Sequence, residues 1–141
     1  MHLLTYVNAK GELRPACRIK DQVIDIPNAL RRAQTAAKQE TTLADSFVSL
    51  NKTFALTVQE KRVLEETLNF IAENPSKTFP EESVFLDLDG LTLAPPIPNP
   101  GKIICVAMNY PGDINMVRPD YPVIFLKPNN TLCGSKSPIS L

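Results

Sequence analysis

The sequence lacks an excess of charge of either sign, and it lacks any long hydrophobic run. Fifteen basic residues balance fifteen acidic ones, so no net field favours nucleic acid or an anionic membrane as a partner. The apolar runs are far shorter than the roughly 20 residues that cross a bilayer. The start, MHLLTYVNAK, has neither the charged lead nor the cleavage site of a secretory signal. We therefore predict a cytoplasmic protein that binds neither nucleic acid nor membrane.

Cysteine and glycine are also scarce. Cys17, Cys105 and Cys133 are odd in number and have no C-x-x-C spacing. This argues against a disulfide framework and against a zinc knuckle, and it fits reduced thiols in the cytosol, although a pairing of two cysteines stays open. The single Gly-Lys pair at 101–102 is not a phosphate-binding loop.

Residues 1–90 predict a small hairpin-and-helix domain. HLLTYV at 2–7 is followed by the turn NAKG, by ELRPACRI at 12–19, by the turn KDQ, and by VIDI at 23–26. Asn, Gly and Asp provide the turn chemistry, and the runs between them have the length of strands. The pattern therefore predicts antiparallel strands joined by tight turns.

Two segments of the same domain predict helices. Residues 26–38 place Pro27 in the first turn of a helix and Ala, Leu and Arg in its body. Residues 57–74 begin with Thr57 and Glu60, which have the spacing of a capping box. Apolar residues then recur at helical spacing and predict a face that covers a core: Leu64, Leu68 and Ile71.

A proline-rich connector at residues 91–101 predicts a domain boundary. Beyond it, residues 102–141 contain two apolar runs, KIICVAM and YPVIFLKP, and then GSKSPISL, which has the character of an approach to a third strand. The two runs predict strands buried on both faces of a larger sheet. Because such strands need structure on both faces, they require a larger core than this segment can supply. We expect the front part of a longer protein, or a chain that needs a partner.

Residues 93–141 also carry a resemblance to a known family. The stretch PPIPNPGKIICVAMNY, followed shortly by YPVIFLKPNNTLCGSKSPISL, resembles the fumarylacetoacetate hydrolase family. Pro-Gly-Lys-Ile, Asn-Tyr, Phe-Leu-Lys-Pro and Ser-Pro-Ile occur in the order and approximate spacing of that family. Residues 1–90 are similar to the small N-terminal domain that precedes the catalytic domain in many members.

The resemblance implies an α+β protein in which the small domain is followed by the first strands of a mixed β-sandwich or β-roll. Family members are usually dimeric and act in catabolism on 2-oxo acids, acylpyruvates and related dicarboxylates, with Mg²⁺ or Mn²⁺. A hard ion held by carboxylates leaves positions open for a 2-oxo carboxylate and stabilises the enolate. The implied ligand is such an acid, and the implied partner is a second copy or a family relative.

The family's catalytic residues are matched only in part. Asn109 and Tyr110 match the Asn-Tyr of the family pattern N-Y-x-x-H-x-x-E, while Asp113 stands in place of the histidine and Met116 in place of the glutamate. The single histidine, His2, fits no such dyad. The metal-binding carboxylates follow the Ser-Pro-Ile segment in the family and would fall beyond the present sequence. We therefore expect no tightly bound metal in this chain.

Four positions are candidate site residues, each with an ordinary structural alternative. Asp113 is the candidate catalytic base, because burial makes a carboxylate more basic, but PGDIN is also common turn sequence. Lys127 is a candidate ligand for a substrate carboxylate, or it extends from a strand end into solvent. Asn109 and Tyr110 emerge from a strand end, where sheet enzymes place functional loops, or they form a turn beside a half-buried ring.

We therefore predict the N-terminal portion of a fumarylacetoacetate hydrolase-like protein. The complete protein would be a metal-dependent hydrolase, decarboxylase or isomerase that cleaves carbon–carbon bonds of 2-oxo acids or acylpyruvates. The present chain, without the metal carboxylates and the His-Glu pair, would be inactive alone. The alternative is a non-catalytic binding or assembly module derived from the family, which uses an exposed sheet region to pair with itself or with a relative.

Overall fold

The computed structural model describes residues 1–37, 47, 49–75, 84–109 and 119–139. The described residues form seven strands and three α-helices. They divide into two compact units, unit 1 with Met1–Pro98 and Cys133–Leu141, and unit 2 with Asn99–Leu132. The α+β class is thereby confirmed, whereas the sandwich or roll remains a prediction. None of the helices within the described ranges is long and apolar enough to cross a membrane.

Unit 1 is built on a five-stranded antiparallel sheet. Its strands are β1 His2–Val7, β2 Leu13–Ile19, β3 Gln22–Asp25, β4 Phe85–Leu86 and β5 Thr92–Ala94. They lie in the order β4–β3–β2–β1–β5, and every neighbouring pair is antiparallel. The strands predicted from the start of the chain are therefore present, and two short later strands extend the sheet on both sides.

Helices cover one face of this sheet. They are α1 Ile26–Ala37, α2 Asn51–Ala55 and α3 Val58–Glu73. Because successive strand residues point to opposite faces, Cys17 and Ile24 join the core beneath the helices, while Ala16 and Val23 join a smaller cluster on the other face. The larger core contains ten buried residues and is the main source of apolar burial in unit 1.

The capping box predicted for α3 is present. The Thr57 hydroxyl accepts a hydrogen bond from the Glu60 backbone N–H at 3.2 Å, and the Glu60 carboxylate accepts one from the Thr57 backbone N–H at 2.7 Å. Leu64 and Leu68 are buried in the core, and Ile71 packs against it. The apolar face predicted from the spacing of these residues is thus confirmed.

Asp25 joins the sheet to the first helix. It ends β3 and directly precedes α1, and its Oδ1 accepts a hydrogen bond from the Asn28 backbone N–H at 2.8 Å, as an N-cap residue does. Its backbone N–H donates to the Val84 carbonyl at 2.9 Å, next to β4. One residue therefore fixes the start of α1 against two strands.

The Asp25 carboxylate is fully buried and is saturated with hydrogen bonds. The Arg14 guanidinium donates to it twice, from Nε at 2.8 Å and from Nη2 at 2.7 Å, and the Tyr6 hydroxyl donates at 2.6 Å. Together with the Asn28 N–H, these bonds use the four acceptor positions of a carboxylate. Arg14 and Tyr6 face each other on β2 and β1, so the sheet register itself brings them to Asp25. A buried charge of this kind is tolerated only when it is paired in this way.

Unit 2 contains a two-stranded antiparallel ribbon. Its strands are β6 Ile103–Ala107 and β7 Val123–Lys127, with Ile103 opposite Lys127 and Ala107 opposite Val123. Both strands were predicted, and their burial on both faces of a larger sheet stays a prediction. Every residue of β7 is exposed, because the described residues of unit 2 provide no second layer to cover it.

Replacing Asp25 tests whether the buried network holds unit 1 together. We expect Asp25→Ala to lower the free energy of unfolding by about 3 kcal/mol, because it leaves Arg14 without its carboxylate and α1 without its cap. Urea unfolding measures this effect. Asp21→Ala is the matched control, because its side chain is fully exposed and lies 3.7 Å from Arg18. Equal effects of the two substitutions would contradict the assigned role.

Through Tyr6, the same network makes the free energy of unfolding depend on pH in the alkaline range. Burial, reinforced by the hydrogen bond to Asp25, raises the pKa of Tyr6 from 10.0 to about 12. The folded state therefore favours the neutral phenol, and this contribution is present below pH 10 and is lost as the pH rises from 10 to about 12.

Urea unfolding at neutral pH and within that window measures the loss. We expect Tyr6→Phe to remove this part of the pH dependence, whereas Tyr121→Phe, at a tyrosine that is 74% exposed, should retain it. The assignment is wrong if Tyr6→Phe and the parent chain lose the same stability across the window.

Candidate functional site

The candidate site lies where β6 ends. Met108 follows the strand and has φ +51°, in the left-handed region. For a residue with a Cβ this conformation costs about 1–2 kcal/mol, and residues held in it cluster at functional sites. The bend turns the chain out of the strand and sets the position of Asn109.

A pocket of about 370 Å³ opens at this end of the ribbon. Its volume falls within the range of small-molecule sites, which begins at about 300 Å³. The pocket is lined by residues from the end of β6 and from the approach to β7: Val106, Ala107, Met108, Asn109, Pro119, Asp120, Tyr121 and Pro122. All of these belong to unit 2, so the pocket is formed within one unit.

Among the described residues of the lining, three side chains are polar and the others are apolar. Asn109 carries an amide that both donates and accepts hydrogen bonds, Asp120 carries a carboxylate, and Tyr121 carries a phenol. Apolar walls with a few polar groups are typical of sites that orient a small organic molecule. Because Asp120 repels anions, an acid bound here would place its carboxylate on the side of Asn109.

The described residues do not fit a divalent metal. Within the ranges that the structure describes, no group of three His, Cys, Asp or Glu side chains is arranged to hold an ion. Asp120 is the single carboxylate among the described residues that line the pocket. Protein sites for a hard cation such as Mg²⁺ combine carboxylates with substrate oxygens and waters, and the described lining offers no cluster of carboxylates. No chemical step through a metal can therefore be derived from these residues.

The structure brings together some of the predicted site residues and separates others. Asn109 lines the pocket, whereas Tyr110 and Asp113 lie outside the described residues. Lys127 pairs with Ile103 at the opposite end of the ribbon, about 13 Å away along the strand at the usual rise per residue. Asn109 and Lys127 therefore do not meet at one small pocket, and the role of Lys127 stays a prediction.

Sequence analysis did not identify Asp120 and Tyr121 as site residues. Their position near Asn109 can be predicted from the sequence, because an antiparallel hairpin places the start of its second strand beside the end of its first. Asp120 and Tyr121 precede β7 with only Pro122 between, and Asn109 follows the end of β6 and its bend. Pairing the two apolar runs would have predicted that these side chains lie near each other.

The three cysteines are free thiols in the structure. Cys17 is buried in the core, and burial raises the pKa of its thiol to about 12, so it is protonated at neutral pH. Cys105 is half-buried on β6, and Cys133 is exposed. The structure joins none of the three in a disulfide.

One face of the ribbon is purely aliphatic. Ile104 lies opposite Leu126, and Val106 lies opposite Ile124, so these four side chains share a face, which we call the aliphatic face. They are exposed by 61%, 66%, 45% and 62%, respectively. Contiguous apolar surface of this kind marks interaction sites.

Comparison with known proteins assigns the chain to no family. Neither a scan against protein-family models nor a search of curated proteins finds a match. The resemblance to the fumarylacetoacetate hydrolase family therefore rests on the sequence motifs of residues 93–141 alone.

Proposed function

We propose that the chain is the N-terminal portion of a fumarylacetoacetate hydrolase-like protein, and that the pocket beside Asn109 is the rim of its substrate site. One observation carries this proposal. Asn109, which matches the Asn-Tyr motif of the family, lines a pocket large enough for a small organic acid and follows a strained residue at a strand end.

The lining residues suit a 2-oxo acid or an acylpyruvate. The Asn109 amide donates a hydrogen bond to the carboxylate or to the 2-oxo oxygen, while Asp120 accepts one from the hydroxyl of the enol form. Val106 and Ala107 provide apolar wall for the acyl group. In the complete family enzyme a bound Mg²⁺ or Mn²⁺ would supply the charge that stabilises an enolate.

The present chain binds the acid but does not cleave it. Carbon–carbon cleavage needs a base that activates water, and Met116 and Asp113 replace the family's glutamate and histidine in this sequence. The pocket residues orient the acid but do not complete a catalytic set. The complete protein would be the hydrolase, decarboxylase or isomerase.

A titration with pyruvate and with acetylpyruvate, followed by NMR of the full chain, tests the site. We expect shifts of the backbone amide signals of Val106, Met108 and Asp120. Asn109→Ala should weaken binding about tenfold, because one hydrogen bond to a charged group is lost. Asn129→Ala is the matched control, because Asn129 is exposed in a 3₁₀ turn and is absent from the pocket.

Two results would separate the parts of this proposal. If the signals of the pocket residues stay unchanged with both acids, the pocket is not a substrate rim. If the 141-residue chain consumes an acylpyruvate in the presence of Mn²⁺, the claim that it is inactive alone is wrong.

The aliphatic face supports a second candidate function, that of an assembly module. A two-stranded ribbon has two edges with unpaired N–H and C=O groups, and such edges recruit strands from other chains. The aliphatic face adds apolar surface that association removes from water. The partner in this case is a second copy of the chain or a family relative with a complementary sheet.

Analytical ultracentrifugation tests whether the chain associates through the aliphatic face. We expect the chain to self-associate, and we expect Ile104→Ser with Leu126→Ser to raise the dissociation constant at least tenfold, because two exposed aliphatic side chains lose their burial. Val58→Ser is the control, since Val58 is 86% exposed on α3 and lies outside the ribbon. A parent chain and a double variant with the same association would exclude the aliphatic face as the contact.

A further inference from the structure

Strand β5 forms one edge of the sheet in unit 1. It pairs with β1 on one side, where Thr92, Leu93 and Ala94 lie opposite Val7, Tyr6 and Thr5. In antiparallel strands the backbone groups of successive residues point alternately to the two sides. One side of β5 therefore directs backbone groups away from the sheet, and an open side of this kind recruits strands from other chains.

Gly134 covers that side of β5. Gly134 is buried, and a Cβ at this position would overlap the Leu93 carbonyl oxygen and lie 2.7 Å from its carbonyl carbon. It would also lie 3.1 Å from the Ala94 Cα. These are backbone atoms, which cannot rotate aside as a flexible side chain can, so only glycine fits here. The Leu93 carbonyl consequently points towards residues 133–139, which we call the return segment.

The return segment and the end of β5 are both held within unit 1. The return segment forms a turn in which the Ser137 N–H donates to the Gly134 carbonyl at 3.1 Å. The buried Thr5 hydroxyl donates to the Pro96 carbonyl at 2.8 Å, just beyond β5. Pro95 and Pro96 lack N–H groups, so the edge cannot extend past Ala94.

We propose that the return segment is a strap that closes the open edge of the sheet in unit 1. β5 has three residues, and the carbonyl of the central one faces outward, so a single close contact by Gly134 is enough to block it. The strap prevents the β5 edge of the sheet from recruiting a strand of another chain. This role concerns unit 1 and is independent of the proposed substrate site in unit 2.

A nitroxide label on Cys133 tests whether the strap is docked. Cys133 is exposed and adjoins Gly134, Cys17 is buried, and Cys105→Ala removes the remaining thiol. With the oxidised label on the full chain, we expect the amide NMR signals of β5 to be lost and to return when the label is reduced. Signals that persist beside the oxidised label would overturn the proposal.

A pair of glycine variants tests what the strap prevents. Gly134→Val forces the strap off β5, whereas Gly101→Val is the control, because a Cβ at Gly101 meets no atom within 4 Å. We expect self-association of Gly134→Val to be at least tenfold stronger than that of Gly101→Val in sedimentation experiments. Equal association of the two folded variants would overturn the proposal. If Gly134→Val does not fold, the nitroxide experiment on the chain with Gly134 decides whether the strap is docked on β5.

Discussion

The buried carboxylate of Asp25 is the constraint on which unit 1 depends. It accepts hydrogen bonds from Tyr6 on β1, from Arg14 on β2 and from the first turn of α1, while its backbone N–H reaches Val84 beside β4. A charge removed from water is costly unless all its acceptor positions are filled, so these elements must adopt one mutual arrangement. Apolar packing adds stability but leaves more freedom, because the core side chains have no fixed directional partners.

The two units differ in how much of their apolar surface is buried and in how many of their polar groups are paired. Unit 1 buries an apolar core beneath its helices, pairs its buried charge and covers the outward carbonyl of β5 with Gly134. Unit 2 leaves an aliphatic face in water and a pocket at one end of its ribbon. The contrast links the two proposed functions, since the proposed substrate rim and the proposed assembly surface both use parts of unit 2 that are exposed in this structure.

Local sequence signals predicted much of unit 1 because their physics is local. Thr57 and Glu60 satisfy backbone groups three residues away, so their spacing was enough to predict the start of α3. The tight turns predicted the hairpins for the same reason. The Asp25 network could not be predicted in this way, because Tyr6, Arg14 and Asp25 are separated in the chain and meet only through the strand register. For the site, the motif predicted Asn109, whereas Asp120 and Tyr121 required the pairing of β6 with β7.

The sequence by itself determined β1 to β3, α1 and α3 of unit 1, the capping box, the two apolar runs and the motifs that resemble a hydrolase family. Each depends on residues a few positions apart, whose interactions form whatever the rest of the chain does. Only the tertiary structure decided which polar groups share the buried carboxylate, that β7 is exposed, that Lys127 lies far from Asn109, and that Gly134 must remain glycine. These features depend on distant segments reaching the same point in space, and that arrangement is set by sheet register and packing.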